Sequence, residues 1–409
     1  MKILHTADWH VGRTVRGRSR ADEHEAVLDE LVALAEQEAV DLILVAGDQF
    51  DVQTPSAESE QIVWRAFSRL AAIAPVVTIA GNHDNPRRLE ALRGLLATNE
   101  IYALGQVRPG TEGGVVTIET SAGDIAHIAC LPFLHHRNAV RPDAIIDAQS
   151  TDLSMHEAYS TLYHQYAQFL LKEIYEVERV QGRQGHRILM GHVSTFGATV
   201  GGGERDIHIL DRYAVDPSAF SIDWDWIALG HIHAAQQVAN APITSYSGSP
   251  LSLDFGEHRH KPQAAVVTLY TEQDPQIRTV PLTSGKQMLT LRGPASSLFE
   301  TSPPGHAWLR VYVTGETLAD TVPQLREHFG EALVDIRVEH QHDEIDEQGT
   351  DDRLQQSAAE LFAQYCAEKG EHDPRIQSAF ELLLDTVHQP ESVVPDASAT
   401  VLTTGQELR

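Results

Sequence analysis

The sequence predicts an α/β layered fold, and three observations carry the prediction. Short β-branched runs alternate with longer amphipathic stretches from the first residue onward, in the order strand, helix, strand, helix, strand. Each run is followed by a polar loop. With 409 residues and 42% hydrophobic content, the chain allows two to four domains of about 100–200 residues and a sizeable core.

The opening elements are Lys2–Thr6, Asp22–Glu38, Asp41–Ala46, Ser59–Ala72 and Val76–Ala80. Further strands are expected at Gly114–Glu119, Ile125–Leu131, Arg187–Met190, Trp226–Leu229, Ile243–Ser245 and Ala264–Tyr270. A long helix is expected over Met155–Arg179, where Tyr159, Leu162, Tyr163, Tyr166, Phe169 and Leu170 recur at helical spacing and read as core. Around Pro281–Gln287 the pattern pauses. A small α+β unit then reads as strand Leu289–Arg292, strand Ala307–Thr314, helix Ala319–Phe329 and strand Leu333–Glu339.

After the polar stretch His340–Asp352, two amphipathic helices are expected at Arg353–Lys369 and Pro374–Val387, with Asp373 as N-cap and Pro374 at the first helical position. Their apolar stripes are too much for two helices to bury alone. They pack on the preceding domain or dock on a partner protein. From Gln389 the composition predicts a disordered tail. The domains are therefore expected at 1–283, 284–342, 343–388 and 389–409.

Lysine and arginine number 31 against 58 aspartate and glutamate, a formal net charge of −27, which argues against wrapping nucleic acid by bulk electrostatics. Cys130 and Cys366 form no CxxC pair and read as buried small side chains in a reducing compartment. No apolar run reaches the roughly 18 residues of a membrane span, and Met1–His10 does not read as a signal peptide. A cytoplasmic protein with no membrane contact is expected.

The chemistry lies at strand ends. Asp8-Trp9-His10 follows the first strand, and a spacing of two puts carboxylate and imidazole on one side of extended backbone. Gly47-Asp48 follows the second, Gly81-Asn82-His83-Asp84 the third, Gly191-His192 the strand at Arg187–Met190, and Gly230-His231-Ile232-His233 the strand at Trp226–Leu229. Asp48 can bridge two metals, Asn82 offers a neutral oxygen, His83 points toward substrate, and Asp84 is placed to orient the His83 imidazole from behind. Any one of these motifs alone is an ordinary turn, cap or core histidine. Together Asp8, His10, Asp48, Asn82, His192, His231 and His233 bring oxygen and nitrogen donors to one sheet edge, a set suited to Mn²⁺, Fe²⁺ or Zn²⁺ more than to Mg²⁺ or Ca²⁺.

The ordered motifs DxH, GD, GNHD, GH and GHxH resemble the calcineurin-like metallophosphoesterase superfamily. Within it LHTADWHVGR, AGDQFD, AGNHDNPRRL, LPFLHHR, MGHVSTFG, ALGHIHAAQ and YSGSPLSLDFGE resemble the SbcD family of bacterial DNA nuclease subunits, from Met1 to about Leu282. The resemblance implies an α-β-β-α sandwich with a small cap domain and a C-terminal helical pair. It also implies two divalent metals, Mn²⁺ foremost, one on Asp8, His10, Asp48 and His233 and the other on Asp48, Asn82, His192 and His231, with His83 as the non-ligand catalytic histidine and Asp84 behind it. Val52 stands where the protein phosphatases of the superfamily carry an arginine, which weighs mildly against phosphoprotein chemistry.

A further implication is a heterotetramer, built on a homodimer of this subunit, with an SbcC-type coiled-coil ATPase that trims double-stranded DNA ends 3′ to 5′ and opens hairpins. This chain has no GxxxxGK[ST] phosphate loop and no heptad run, so the ATPase is another chain. The partner reading of Arg353–Val387 is then favoured. Arg13, Arg16, Arg18, Arg20, Arg87 and Arg88 either track the DNA backbone or form a solvated run. Thr195–Gly203 is either a substrate loop or a flexible turn, and His135, His136, His258 and His260 read as second-rank or surface groups. A phosphodiesterase for small substrates or nucleotides is the alternative enzyme, and a DNA-end scaffold with a vestigial metal site is the alternative of another class.

Overall fold

A computed structural model describes residues 1–135, 155–199, 214–217, 220, 223–239, 241–257, 261–271, 273–302, 305–315, 318–339 and, near the C-terminus, 361–363, 365–366, 375–378 and 380. His136, His258, His260, the 200–203 part of the Gly-rich loop, the turn at Gly370–Asp373, most of both C-terminal helices and the tail from Gln389 lie outside the described residues. The chain divides into two compact units, Met1–Asp343 and Glu344–Arg409.

The first unit holds two six-stranded sheets. Strands β1 (Lys2–Thr6), β2 (Leu42–Val45), β3 (Val76–Ile79) and β4 (Ile101–Leu104) run parallel, and β13 (Gln263–Tyr270) and β14 (Gln273–Pro281) extend them antiparallel beyond β1. The second sheet orders β11 (Gln236–Val238), β12 (Ala241–Tyr246), β10 (Trp226–Gly230), β7 (His186–His192), β6 (Ile125–Leu131) and β5 (Val115–Glu119). Its four inner strands β12, β10, β7 and β6 are parallel. A two-stranded pair, β8 (Ser194–Thr195) and β9 (Ala214–Val215), lies beside it.

Both sheets are apolar on both faces, which is why their strands read as continuous hydrophobic runs. Ile3, Leu42, Leu44, Val77 and Ile79 meet Ala126, Ile128, Ile188, Met190 and Trp226 in the core between the sheets. On the outer face of the first sheet, helices α1 (Ala21–Glu38) and α2 (Ala57–Ala71) bury Val27, Leu31, Val63 and Phe67. On the outer face of the second, α4 (Met155–Gln181) buries Tyr159, Tyr163, Leu170 and Ile174, while Phe169 of the expected stripe is exposed. The result is the α-β-β-α sandwich. Helix α3 (Pro86–Ala97) starts where the sequence chemistry directs: Asn85 accepts from the amides of Arg87 and Arg88, and Pro86 takes the first position.

The small unit expected as α+β has its expected strands and helix, joined by one further short helix into a parallel βαβαβ layer. β15 (Gln287–Pro294), α5 (Ala295–Glu300), β16 (Ala307–Thr314), α6 (Thr321–Phe329) and β17 (Leu333–Glu339) follow one another, and both strand pairs are parallel. The crossover α5 is six residues long, too short to leave a clear helical period in the sequence, and it is what turns the chain back for parallel pairing. No helix among the described residues is long and apolar enough to cross a membrane.

In the second unit the described C-terminal residues are helical, and the Phe362 and Phe380 rings stack 3.8 Å apart.

Candidate metal centre

The site forms because two loops keep pairing after their strands end. Asp8 N donates to Gly47 O at 3.0 Å, His10 N to Asp48 O at 3.0 Å and Val11 N to Gln49 O at 3.0 Å, so the β1 and β2 loops continue as a ladder. Along it Asp8, His10 and Asp48 have φ of 56°, 46° and 52°. Left-handed backbone at non-glycine residues is strained, and it aims these side chains inward instead of into the sheet. A glycine is obligatory beside them: a Cβ on Gly47 (φ +93°) would strike the His192 ring, and one on Gly81 would strike the Asp48 carboxylate.

From the second sheet, β7 delivers His192 and the end of β10 delivers His231 and His233. His231 N donates to both Asp8 carboxylate oxygens at 3.0 and 3.1 Å, which fixes that carboxylate. All seven residues expected as ligands are buried and converge. Ligand atoms of Asp8, His10 and His233 lie within 4.8 Å of one another, as do those of Asp8, Asp48 and His192 and those of His10, Asp48 and His83. Asn82 joins through Oδ1, 3.0 Å from His192 Nε2 and 3.0 Å from His231 Nδ1.

The donor set asks for cations. His192 Nδ1 donates to the Ala46 carbonyl at 2.7 Å, and its Nε2 faces Asn82 Oδ1 at 3.0 Å and Asp48 Oδ2 at 3.4 Å, where a second ring proton or a metal ion meets both oxygens. His233 Nδ1 donates to Glu257 at 2.7 Å, which leaves its Nε2 lone pair 3.2 Å from His10 Nε2. Ring nitrogens crowded against oxygens and against one another in a buried site are satisfied by protons or by metal ions.

The titration shifts carry the same strain. Burial, opposed by His192 and His233, pushes Asp8 up to about 7. Asp48 is buried too, yet the imidazoles of His192, His83 and His10 hold it well below the ordinary carboxylate range. His192, against its own burial, is raised to about 9 by Asp48 and Asp8, while burial and the neighbouring His83 lower His10 to about 3. Divalent cations would relieve all four at once.

His83 sits at the edge of this cluster, its ring 4.5 Å from that of His10 and its Nδ1 2.7 Å from Asp51 O. Asp84 departs from its expected place. Its carboxylate accepts from the amides of Gly81 at 2.8 Å, Phe50 at 3.1 Å and Gln49 at 3.3 Å, tying the third loop to the second, and the Asp51 carbonyl is what meets the His83 ring. The short Gly81–Asp84 loop curls back on itself, which puts the carboxylate over its own turn. Burial, then the Asp48 charge, pushes Asp84 up to about 7.

Two supporting residues escaped the sequence reading. Asp51 faces His10 Nδ1 at 3.5 Å and binds Arg13 at 3.1 Å, and against burial those two groups hold it well below the usual carboxylate range. Its place three residues beyond Asp48 in GDQFD was the available signal. Glu257 closes the YSGSPLSLDFGE stretch, but 24 residues separate it from the histidine it binds, so its role was not readable from sequence.

The arginines resolve unevenly. Arg20 is buried against Glu23 and the Ser252 carbonyl, Arg13 is on Asp51, Arg16 on Asp335, Arg18 on the carbonyls of Glu331 and Leu333, and Arg88 on Glu60. Only Arg87 is exposed with no ion pair among the described residues. His135 packs edge-on against Phe133, which stacks on His231. The described start of the Gly-rich loop is tied down, with Thr199 and Gln236 exchanging two hydrogen bonds of 2.7 Å.

Residues 1–235 match the calcineurin-like phosphoesterase family. The chain is 31% identical over 312 residues to the SbcD subunit of the Bacillus subtilis nuclease SbcCD, covering 76% of this chain and 75% of that one. It is 34% identical over 268 residues to the SbcD subunit from Rhodobacter capsulatus, covering 63% and 64%. Against the SbcD subunit of Escherichia coli K12 it is 28% identical over 353 residues, covering 81% and 83%.

Proposed function

The chain belongs to the calcineurin-like phosphoesterase family and, within it, to the SbcD nuclease subunits, and on that premise we propose a two-metal DNA nuclease subunit that cuts duplex ends 3′ to 5′ and opens single-stranded and hairpin DNA. The observation that carries the reading is the buried convergence of donors, in which ligand atoms of Asp8, His10 and His233 and those of Asp8, Asp48 and His192 lie within 4.8 Å of one another and Asn82 Oδ1 meets His192 and His231.

Asp8, His10, Asp48 and His233 hold one cation, and Asp48, Asn82, His192 and His231 hold the other. Mn²⁺ suits the mixed oxygen and nitrogen set. Such ions, when bound, neutralise phosphate charge and lower the pKa of water. The chain's own residues do the rest. His231 N and the left-handed backbone at Asp8 keep that carboxylate from rotating away. The Asp51 carbonyl accepts a hydrogen bond from His83 Nδ1, which holds the ring so that the imidazolium can hand its Nε2 proton to the departing DNA oxygen and be left neutral with Nδ1–H. Asp84 positions His83 by fastening its loop to Gln49 and Phe50.

The partner is an SbcC-type coiled-coil ATPase held by residues 343–388, and the subunit works in the cytoplasm as a homodimer inside a heterotetramer. Leu361, Tyr365 and Ile376 are 39–55% exposed on those helices, which supports a docking role. A chain truncated after Gln348 is expected to lose SbcC binding in a pull-down, and full-strength binding would remove the role.

The central test is cleavage of a linear duplex and a hairpin with Mn²⁺, Mg²⁺ or chelator, beside Asp48→Ala and His83→Ala. Mn²⁺-dependent cutting that disappears in Asp48→Ala is expected. Hydrolysis of a small phosphodiester with no DNA cutting, even with SbcC and ATP, would overturn the DNA reading.

A further inference from the structure

Glu257 lies far from the five motifs, yet its carboxylate is 3% exposed and both its oxygens are engaged. Oε1 takes the Nδ1 proton of His233 at 2.7 Å, and Oε2 accepts from Leu253 N at 2.6 Å. A carboxylate held at both ends cannot rotate, so it fixes both the tautomer and the plane of the His233 ring and turns Nε2 toward His10.

What holds Glu257 comes from another layer. It ends a single 3-10 turn, Phe255–Glu257, closed by Asp254, whose Oδ1 accepts from Gly256 N at 2.9 Å and whose carbonyl accepts from Glu257 N at 3.1 Å. The first residue of that turn, Phe255, is buried in a cluster with Val15, Met288 and Trp308. The Arg310 guanidinium lies 4.3 Å from the Phe255 ring centre, and Arg310 is itself held by Asp335 at 3.1 Å. Met288, Trp308, Arg310 and Asp335 all belong to the small three-stranded sheet. One rigid turn therefore touches that sheet at its first residue and the metal centre at its last.

We infer that Glu257 is a positioning residue for His233, and that the small sheet sets its place through Phe255, so that the seat of this sheet tunes metal affinity on the His233 side of the centre. The inference rests on the two-metal reading above. It assigns the small sheet an effect on the centre to which it contributes no ligand.

The test is Mn²⁺ binding by the full chain, followed by titration calorimetry and by the electron paramagnetic resonance of bound Mn²⁺, with circular dichroism to verify folding. Glu257→Ala is expected to weaken one of the two sites by about 10–100-fold and leave the other unchanged. Glu257→Gln, which keeps an oxygen for the Nδ1 proton, is expected to fall between, and it replaces the alanine variant should that one not fold. Phe255→Ala and Arg310→Ala are expected to weaken the same site by a smaller factor. Two wild-type affinities in folded Glu257→Ala, or in Glu257→Gln in its place, would overturn the positioning role. Loss in the Glu257 variants with none in Phe255→Ala and Arg310→Ala would overturn the transmission from the small sheet. Wild-type protein that binds fewer than two Mn²⁺ would instead refute the two-metal reading on which both depend.

Discussion

Four residues at the metal centre, Asp8, His10, Asp48 and His231, hold positive φ, whereas the described part of the small sheet, residues 287–339, has left-handed backbone only at glycines. The same contrast runs through burial. Carboxylates and imidazoles fill the loops of the sandwich, while Leu309, Val311, Val313, Leu325, Phe329 and Leu333 fill the core of the small sheet. Strain and buried charge are costly, and the molecule concentrates them where phosphate chemistry needs fixed donors. The small sheet is an ordinary packed layer, and its apolar seam with the sandwich is Val15, Phe255, Met288 and Trp308.

The largest effects should therefore come from the loops and leave stability alone. His83→Ala is expected to lower the rate of duplex cleavage by about 10²–10⁴-fold while both metals stay bound. Single-turnover cleavage beside a Mn²⁺ titration measures both quantities. Normal rates would remove His83 from the chemistry and erase the contrast at its sharpest point.

The joint between the regions comes next, and there the sign reverses. Arg20 is fully buried and pairs with Glu23 at 2.8 Å, and Glu23 also accepts from Trp308 Nε1 at 2.6 Å and Lys286 N at 2.9 Å. Glu23→Ala would leave the guanidinium buried with the Ser252 carbonyl as its remaining partner and take the acceptor from Trp308 Nε1 in the small sheet and from Lys286 N just before it. A loss of about 3–5 kcal/mol is expected in urea unfolding, with the metal ligands untouched. A change under about 1 kcal/mol would mean that the joint is solvated and the two regions are independent.

Acid should divide the regions as well. His5 lies between the two large sheets, edge-on to Trp226, with neither ring nitrogen hydrogen-bonded, and burial lowers it to about 3. The unfolded chain takes up this proton near pH 6.5 and the folded chain only near pH 3, so stability falls as pH drops through that window. Between pH 7 and pH 4.5 the loss from this one group is roughly 2–3 kcal/mol. Urea midpoints of wild type and His5→Leu at the two pH values test it, since the variant should lose less on acidification. Equal losses would move the acid sensitivity elsewhere, with His24, lowered to about 4 by burial, the next group to examine.

The contrast also explains what could be read from sequence. The candidate ligand positions stand out in the sequence because a parallel strand ends in a turn, the turn needs glycine, and the next side chain points into the crevice; Gly47-Asp48 and Gly230-His231 follow that logic residue by residue. The sandwich was legible because its central strands are apolar on both faces. Strand β14 was not, since it is a polar edge strand carrying two prolines, and its pairing with β13 is visible only in three dimensions. Neither was Glu257, whose bond to His233 depends on the end of one sheet meeting a turn that precedes a strand of the other. The arginine run stays open to two readings, because sequence shows a charge and not what the fold places opposite it.

Arg16 and Arg18 carry the smallest effect and decide most directly between two roles for that run. They stand on a tight turn in which Arg16 and Gly17 have φ of 49° and 78°, closed by the bridge between Val15 and Arg18. From it Arg16 reaches Asp335 at 2.8 Å, and Arg18 reaches the Leu333 carbonyl and lies over the Trp308 ring. Arg16 is half exposed, so solvent screens the pair and each interaction is worth at most about 1 kcal/mol. If the turn is a clasp for the small sheet, Arg16→Ala with Arg18→Ala lowers stability by about 1–2 kcal/mol and leaves the salt dependence of DNA binding unchanged. If instead the turn tracks DNA, the slope of log affinity against log salt falls by about one for each phosphate that is no longer neutralised. Arg87→Ala, which removes an exposed guanidinium beside the His83 loop with no ion pair to lose among the described residues, is the control in which that slope should change and stability should not.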